Sequence, residues 1–303
     1  MTTPSLEDLL ERTSRTFALS IPVLPEPTRR EVMIAYLLFR IADTFEDAAH
    51  WPADRLIEAL REFQALLADR SAARSEELAA KWTDAGASPH AGYRELIARV
   101  SLVIEAFSSL DPMAVTLIAH HVSRSAEGMA GFVARGPGGS LSLATLQDLR
   151  DYCYAVAGIV GEMLTELFLL HREGLAPAAD DLRPRAATFG EALQLVNIVK
   201  DSAVDVSEGR SFLPREVPRA DVFALARRDL TVAGEYISAL QAAAGPRGIV
   251  AFCALPVELA WATLEKVERL GPGSKVSRWQ VLQIKQRLDR ALDANAPAVA
   301  PRG

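Results

Sequence analysis

The spacing of apolar residues is the feature of this sequence that most restricts its fold. Apolar side chains recur three and four positions apart, for example at Val32, Tyr36 and Phe39, and that period is characteristic of α-helices. Sustained alternation of apolar and polar residues is absent, as is the Asn-Gly signal of a β-hairpin, so nothing in the sequence indicates a strand. The sequence therefore predicts an all-α protein.

Breaks containing glycine and proline separate the helical stretches, but no change of composition marks a second domain. The chain has 303 residues, half of them hydrophobic, which is enough for one sizeable core. We therefore expect a single helical domain over residues 1–294. Residues 295–303 are rich in alanine and proline, and we expect this tail to be disordered.

The charge of the chain excludes one class of partner. The net charge is −6, which gives no basis for nucleic-acid binding. An acidic protein that binds an anion has to gather its few cations locally or recruit a metal ion.

The sequence also predicts a cytoplasmic protein without a transmembrane segment. The first ten residues lack the apolar run of a signal peptide. Glu162, Arg247 and Glu258 interrupt the longest apolar stretches before they reach spanning length. Cys153 and Cys253 lie in apolar runs, as buried free thiols do. We expect a monomer or homodimer that an apolar substrate can bring to the inner face of a membrane.

A first acidic cluster lies at the end of a helical stretch. Asp43 and Asp47 are four residues apart, and Glu46 is three residues from Asp43, so a helix places all three carboxylates on one face. Like charges at this spacing repel each other and need a counter-ion.

A second cluster has the same geometry. Gln194, Asn197, Asp201 and Asp205 follow one another in steps of three, four and four and form one stripe on a helix. Side-chain oxygens are the ligands that Mg²⁺ prefers, and it is usually bound by one or two carboxylates together with substrate phosphates. Two such stripes could hold a diphosphate through several Mg²⁺ ions.

The alternative for either cluster is an ordinary solvated helix face. The neighbouring residues argue against it, because Tyr36 to Phe39 and Leu193 to Val196 surround the two clusters with apolar side chains. Carboxylates in apolar surroundings need a paired charge or a metal.

Seven segments of the chain resemble the squalene and phytoene synthase family, and they occur in the family's order. They are residues 14–17 (SRTF), 36–47 (YLLFRIADTFED), 152–161 (YCYAVAGIVG), 192–201 (ALQLVNIVKD), 209–214 (GRSFLP), 252–256 (FCALP) and 275–278 (KVSR). Each is moderately specific alone, and together they span nearly the whole chain.

The resemblance implies an isoprenoid-synthase helical fold with a large central cavity, in which Mg²⁺ and diphosphate are bound from opposite walls. The implied metal ligands are Asp43, Glu46, Asp47, Asn197, Asp201 and Asp205. The four aspartates among them and Tyr152 are the implied catalytic residues. The implied substrate-binding residues are Arg15, Phe17, Arg40, Gln194, Asn197, Arg210, Lys275 and Arg278.

These residue types suit the implied roles. Arginine can bind diphosphate oxygens through two parallel hydrogen bonds, and the ring face of Phe17 can stabilise a carbocation. Surface arginines and a core phenylalanine are the plain alternatives. Gly158 and Gly161 lie in a helical run, where glycine lowers stability, so we expect close helix packing or a kink there.

The resemblance implies head-to-head condensation of two farnesyl diphosphates, via presqualene diphosphate, to squalene. The cofactors are Mg²⁺ and, on resemblance alone, NADPH, because no Gly-x-Gly-x-x-Gly motif is present. Phytoene or dehydrosqualene synthesis without a reductant, synthesis of presqualene diphosphate alone, a terpene cyclase of the same fold and a non-catalytic helical assembly protein stay open. Two residues depart from the squalene synthase pattern: Ala48 replaces a frequent acid, and Lys200 replaces a frequent arginine.

Overall fold

The computed structural model describes residues 5–14, 16–48, 50–136, 143–207, 211–214 and 216–300, and within these ranges the regular structure is helical. The predicted all-α class is therefore confirmed. The helices are α1 (Leu6–Thr13), α2 (Phe17–Ser20), α3 (Thr28–Glu46), α4 (Ala53–Asp69), α5 (Ala72–Asp84), α6 (Ala91–Ala98), α7 (Val100–Ser108), α8 (Pro112–Arg135), α9 (Leu146–Cys153), α10 (Ile159–His171), α11 (Ala179–Ser207), α12 (Arg219–Ala242), α13 (Arg247–Leu270) and α14 (Arg278–Asp293).

The helices form two compact units. The first contains Met1–Pro22 and Glu26–Ser140, and the second contains Val23–Pro25 and Leu141–Gly303. The single domain over residues 1–294 stays a prediction.

Helix α3 is the core of the first unit and contacts α1, α4, α6, α7 and α8. Its buried face ends in Phe45, whose ring lies 4.7 Å from Trp82 and 6.3 Å from Phe63 between ring centroids. All three rings are fully buried. This aromatic packing fixes the C-terminal end of α3, where the first acidic cluster lies.

Helix α11 has the same role in the second unit, where it contacts α9, α10, α12 and α13. Its approach to α10 is unusually close. A Cβ atom built on Gly161 would lie 2.0 Å from the Ala186 carbonyl oxygen, and one built on Gly190 would lie 2.0 Å from the Ala157 carbonyl oxygen. The close packing predicted at Gly161 is therefore present.

A π-helical turn, Tyr154–Gly158, joins α9 to α10. Such turns bend a helix and are frequent at functional sites. The Tyr154 hydroxyl donates a hydrogen bond to Glu162 Oε1 at 3.1 Å, so this tyrosine stabilises the turn, whereas Tyr152 lies one residue before α9 ends.

Helix capping differs from what local sequence suggests. Thr188 and Glu191 have the Thr-x-x-Glu form of a capping box, but α11 already begins at Ala179 and Thr188 lies inside it. Capping boxes occur instead at Ser5, Thr145 and Ser277. At Ser5, for example, the side chain accepts from the Asp8 backbone amide while the Asp8 side chain accepts from the Ser5 backbone amide. Tertiary packing of α11 overrides the local start signal.

The C-terminal segment is docked on α12 as far as residue 300, although composition predicted disorder. Gln241 donates to the Ala296 carbonyl oxygen at 2.8 Å and accepts from the Ala298 amide at 3.0 Å. Val299 is buried. Residues 301–303 lie outside the described part of the chain.

Two helical stretches are long and apolar enough to cross a membrane by length and composition, although the sequence analysis expected none. They are Leu146–His171 and Arg247–Leu270, and 56% and 72% of their apolar windows are buried inside the protein. Core helices of globular proteins share these properties, so length and apolar composition alone are weak evidence for membrane insertion.

Candidate functional site

The first acidic cluster lies on the last turn of α3. The Asp47 amide donates to the Asp43 carbonyl oxygen at 2.9 Å, so the helical spacing continues through Asp47 and the two carboxylates share a face, as predicted. Asp43 and Glu46 are half-buried, and Asp47 is exposed. The cluster is therefore accessible at one end and enclosed by the core at the other.

Arg40 is the cation of this cluster. Its Nη1 lies 3.3 Å from Asp43 Oδ2, and its guanidinium carbon lies 5.7 Å from the Tyr36 ring centroid and 5.4 Å from that of Tyr93. Its Nε–H is buried and has no hydrogen-bond partner among the residues that the structure describes. A buried donor of this kind suits an anionic oxygen from a ligand.

Burial and charge act in opposite directions on this pair. Burial raises the pKa of Asp43 to about 6, with repulsion from Asp47 adding to the rise and Arg40 opposing it. Burial also lowers the pKa of Arg40, but attraction to Asp43 and to the two tyrosines outweighs it and the pKa ends above its usual value. The cluster therefore favours an added positive charge.

Phe17 packs against Tyr36, one of the two rings beside Arg40. Its ring is tilted against Tyr36 at 5.4 Å between centroids, and the Tyr36 hydroxyl donates to the Thr13 carbonyl oxygen at 2.9 Å. Sequence reasoning missed Tyr93, because α6 lies about fifty residues away along the chain and no motif marks it.

The second cluster follows one stripe of α11, as predicted. Gln194 and Asp201 are half-buried, Asn197 is exposed and Asp205 is buried. The stripe therefore passes from solvent into the protein along the helix.

Lys200 is the cation of the second cluster. Its Nζ donates to Asn197 Oδ1 at 3.0 Å and lies 3.1 Å from Asp201 Oδ2. Its side chain is flexible and contacts the same oxygens that a metal would need, whereas Arg40 is held between two rings. The departure from arginine at position 200 thus gives this cluster a point charge that can move aside.

The segment carrying Lys275 is tied to α11. The Gly273 amide donates to the Lys200 carbonyl oxygen at 2.7 Å, and Lys266 Nζ donates to the Lys275 carbonyl oxygen at 2.7 Å. The Lys275 and Arg278 side chains are exposed. The structure thus brings the backbone of this segment to the second cluster and leaves both cations available to a soluble anion.

Tyr152 is buried, and its ring packs against Phe212 at 5.3 Å between centroids. Phe212 also lines a groove of about 420 Å³ together with Ser202, Val206 and Pro272. The groove is mostly apolar and lies beside the helix turn that carries Asp201 and Asp205. Arg15 and Arg210, both predicted to bind substrate, lie outside the described residues.

A buried acid pair, which sequence reasoning missed, also involves α11, where Glu191 lies three residues before Gln194 and therefore on the same side of the helix as the predicted stripe. Glu191 and Asp229 are both buried, and Arg150 Nη2 approaches Glu191 Oε2 at 3.8 Å. Burial raises the pKa of Glu191 to about 7, and Asp229, Asp151 and Glu162 add to the rise while Arg150 opposes it. Only the fold shows this group, because its members come from α9, α10, α11 and α12.

The raised pKa of Glu191 makes stability depend on pH. The folded protein binds this proton more tightly than the unfolded chain does, so the free energy of unfolding should fall as pH rises from about 4.5 to about 7. Replacing Glu191 with glutamine should remove this loss, which is on the order of 2 kcal/mol. Urea unfolding of both proteins near pH 5 and near pH 8 measures it. A stability difference that does not grow toward the higher pH would contradict the prediction.

The oxygen donors of both clusters fit Mg²⁺. Each helix presents carboxylates at three- and four-residue spacing, with one resident cation beside them. No three His, Cys, Asp or Glu side chains are arranged as a ready-made metal cage anywhere in the described ranges. Mg²⁺ is usually bound by one or two carboxylates plus substrate phosphates and water, and each cluster by itself offers the carboxylates for a site of this kind.

Solved structures of related proteins match the fold over almost the entire chain. A complex of the squalene synthase TcSQS with a ligand is 28% identical, with a TM-score of 0.79 over 96% of this chain and 87% of that one. A dehydrosqualene synthase complex is 20% identical, with a TM-score of 0.60, and this second likeness concerns the fold alone. The isoprenoid-synthase helical fold expected from the motifs is therefore confirmed.

Sequence comparison gives the family. The squalene synthase of Candida albicans is 33% identical over 210 residues, which are 69% of this chain and 45% of that protein. The squalene synthase of Eremothecium gossypii is 31% identical over 281 residues, 86% of this chain and 60% of that protein. The chain thus spans about half to three fifths of the curated relatives. The family model described as squalene/phytoene synthase matches residues 10–222, and the chain belongs to that family.

Proposed function

We propose that this protein is a Mg²⁺-dependent prenyltransferase that condenses two farnesyl diphosphates head to head, via presqualene diphosphate, to squalene. The observation that carries the proposal is the pair of oxygen-rich helix faces, on α3 and α11, each with its own cation in contact with an aspartate. Homologous squalene synthases at about 30% identity support it.

The residues have separate roles in this proposal. Asp43, Glu46 and Asp47 on α3 hold metal, as do Asn197, Asp201 and Asp205 on α11. Mg²⁺, when bound, supplies Lewis-acid stabilisation of the leaving diphosphate. Arg40, Arg15, Arg210 and Gln194 bind diphosphate oxygens.

Carbon chemistry follows departure of the first diphosphate. The 2,3-double bond of the second substrate attacks the allylic cation, and loss of a proton closes the cyclopropane ring of presqualene diphosphate. We assign Tyr152 to orienting the diphosphate or assisting proton loss. Phe17 presents its ring to the cation, and apolar walls such as those beside Phe212 exclude water.

NADPH is the proposed reductant. Its phosphates suit Lys275 and Arg278, two exposed cations on one short segment whose backbone is hydrogen-bonded to α11. When bound, NADPH would supply a hydride to the rearranged cation left after the second diphosphate departs, which gives squalene, whereas loss of a proton from that cation would give dehydrosqualene.

The location proposed for the protein is the cytoplasm, with peripheral contact at the inner face of the membrane. This keeps the exposed Asp47 in water while the hydrocarbon product leaves toward lipid. We also propose that the chain works as a monomer or homodimer.

Products formed from farnesyl diphosphate test this function. Purified protein with Mg²⁺ and NADPH is expected to form squalene, and without NADPH to accumulate presqualene diphosphate or dehydrosqualene. Both are separated by liquid chromatography and mass spectrometry. Turnover only with geranylgeranyl diphosphate would identify a phytoene synthase, and a cyclic product from one substrate would identify a terpene cyclase. Absence of turnover with either substrate would contradict the enzyme proposal and favour a non-catalytic assembly role.

A further inference from the structure

One segment of this acidic protein is strongly basic. Residues 266–285 contain five basic residues, Lys266, Arg269, Lys275, Arg278 and Lys285, and one acidic residue, Glu268. The segment therefore carries a charge of +4 in a chain whose net charge is −6. It runs from the last turns of α13, through the connecting loop, into α14.

The same segment exposes large apolar side chains. Leu270 is 60% exposed, Trp279 is 66% exposed and Leu282 is 52% exposed. Trp279 and Leu282 are three residues apart on α14, so they lie on the same helix face. The other tryptophans of the chain, Trp51, Trp82 and Trp261, are at most 8% exposed. An exposed tryptophan here is thus an exception that needs an explanation.

The basic side chains around these apolar groups are open to solvent. Arg269, Lys275 and Arg278 are exposed, whereas Lys285 forms an ion pair with Asp289 at 2.8 Å. Tryptophan and leucine beside exposed lysine and arginine are the combination that binds the interface of an anionic bilayer, because the rings enter the headgroup layer and the cations contact lipid phosphates.

We propose that this corner, formed by Arg269, Leu270, Trp279 and Leu282, docks the protein on a bilayer that contains anionic phospholipid. The corner is the surface through which the protein would make the peripheral membrane contact proposed above. The inference rests on the proposed function in one respect only, namely that docking gives an apolar product a route into the lipid. Charge complementarity selects lipid as the partner. Three apolar side chains also offer far less than the about 800 Å² per subunit that a stable dimer buries.

Trp279 makes the docking directly measurable, because it is the one exposed tryptophan of the four. Vesicles of phosphatidylcholine mixed with phosphatidylglycerol should shift its emission to the blue, and brominated lipid should quench it. Vesicles of phosphatidylcholine alone should do neither. The shift should weaken as salt is raised, because each cation at the surface contributes about fivefold to binding at low salt.

Flotation with the mixed vesicles measures how much each apolar side chain of the corner contributes to membrane binding. Trp279→Ser and Leu282→Ser should each weaken binding about tenfold, since each removes an apolar group that would enter the interface. Met113→Ser is the matched control, because Met113 is also 66% exposed but lies on α8. It should bind like the parent. All three variants should keep the parent's turnover of farnesyl diphosphate in vesicle-free solution.

The outcomes separate this proposal from the proposed function. Equal binding to neutral and anionic vesicles, or unchanged binding in Trp279→Ser and Leu282→Ser, would overturn the docking surface whatever the turnover. Sedimentation measures the oligomeric state. A dimer in the parent protein that is lost in Trp279→Ser would also overturn the docking surface, because the corner would then contact a second copy of the chain. Specific vesicle binding without turnover of any prenyl diphosphate would support the surface and contradict only the enzyme proposal.

Discussion

Turnover of farnesyl diphosphate should fall about a thousandfold when Asp201 is replaced by alanine, because loss of a metal ligand removes several kcal/mol of stabilisation from the leaving diphosphate. Asp43→Ala should have an effect of the same size. Both positions are half-buried on helices, and alanine is a strong helix former, so the fold should persist. Steady-state kinetics with saturating Mg²⁺ measures the loss.

Asp181→Ala is the matched control for Asp201→Ala. Asp181 lies on the same helix, and its side chain is 74% exposed and paired with Arg185, outside the proposed metal stripe. Its turnover should equal that of the parent. Parent-like turnover in Asp201→Ala, with circular dichroism also unchanged, would remove α11 from the proposed metal site.

The largest expected effect on stability comes from Gly161→Ala. The new methyl group would lie 2.0 Å from the Ala186 carbonyl oxygen and 3.2 Å from the Gly190 amide nitrogen. Both are backbone atoms, so α10 and α11 must separate, and we expect a destabilisation of about 3 kcal/mol. Urea unfolding followed by circular dichroism measures the change.

Gly234→Ala provides the comparison within the same unit. Gly234 lies inside α12, and a Cβ atom there would meet only Val299 Cγ1, at an ordinary distance of 3.7 Å. Alanine should stabilise the helix by up to about 1 kcal/mol. If Gly161→Ala matched Gly234→Ala in stability, the close contact of α10 with α11 would be refuted.

The features that the sequence predicted correctly are local ones. The all-α class follows from apolar periodicity, and the stripes on α3 and α11 follow from three- and four-residue steps within single helices. Such spacing fixes which side chains share a face before any tertiary contact is known. Gly161 also indicated close packing from local sequence alone. Glycine lowers the stability of a helix, and a close contact with a neighbouring helix can offset that loss.

The features that the sequence did not predict depend on contacts between distant segments. Tyr93 reaches Arg40 from another helix, and Glu191 meets Arg150 and Asp229 only after folding. The capping signal at Thr188 was misleading because the packing of α11 extends the helix past it. The C-terminal segment is docked through Gln241, a partner that the Ala/Pro composition does not indicate.

Crystals soaked with Mn²⁺ and farnesyl thiodiphosphate, a substrate analogue that resists ionisation, give the decisive result through anomalous diffraction. We expect Mn²⁺ peaks within ligand distance of Asp43 or Asp47 on α3 and of Asp201 or Asp205 on α11, with diphosphate oxygens completing the coordination. Two results would contradict the assignment of both acidic faces as metal sites. One is bound diphosphate with no Mn²⁺ peak at α3 and none at α11, and the other is Mn²⁺ bound only at other places.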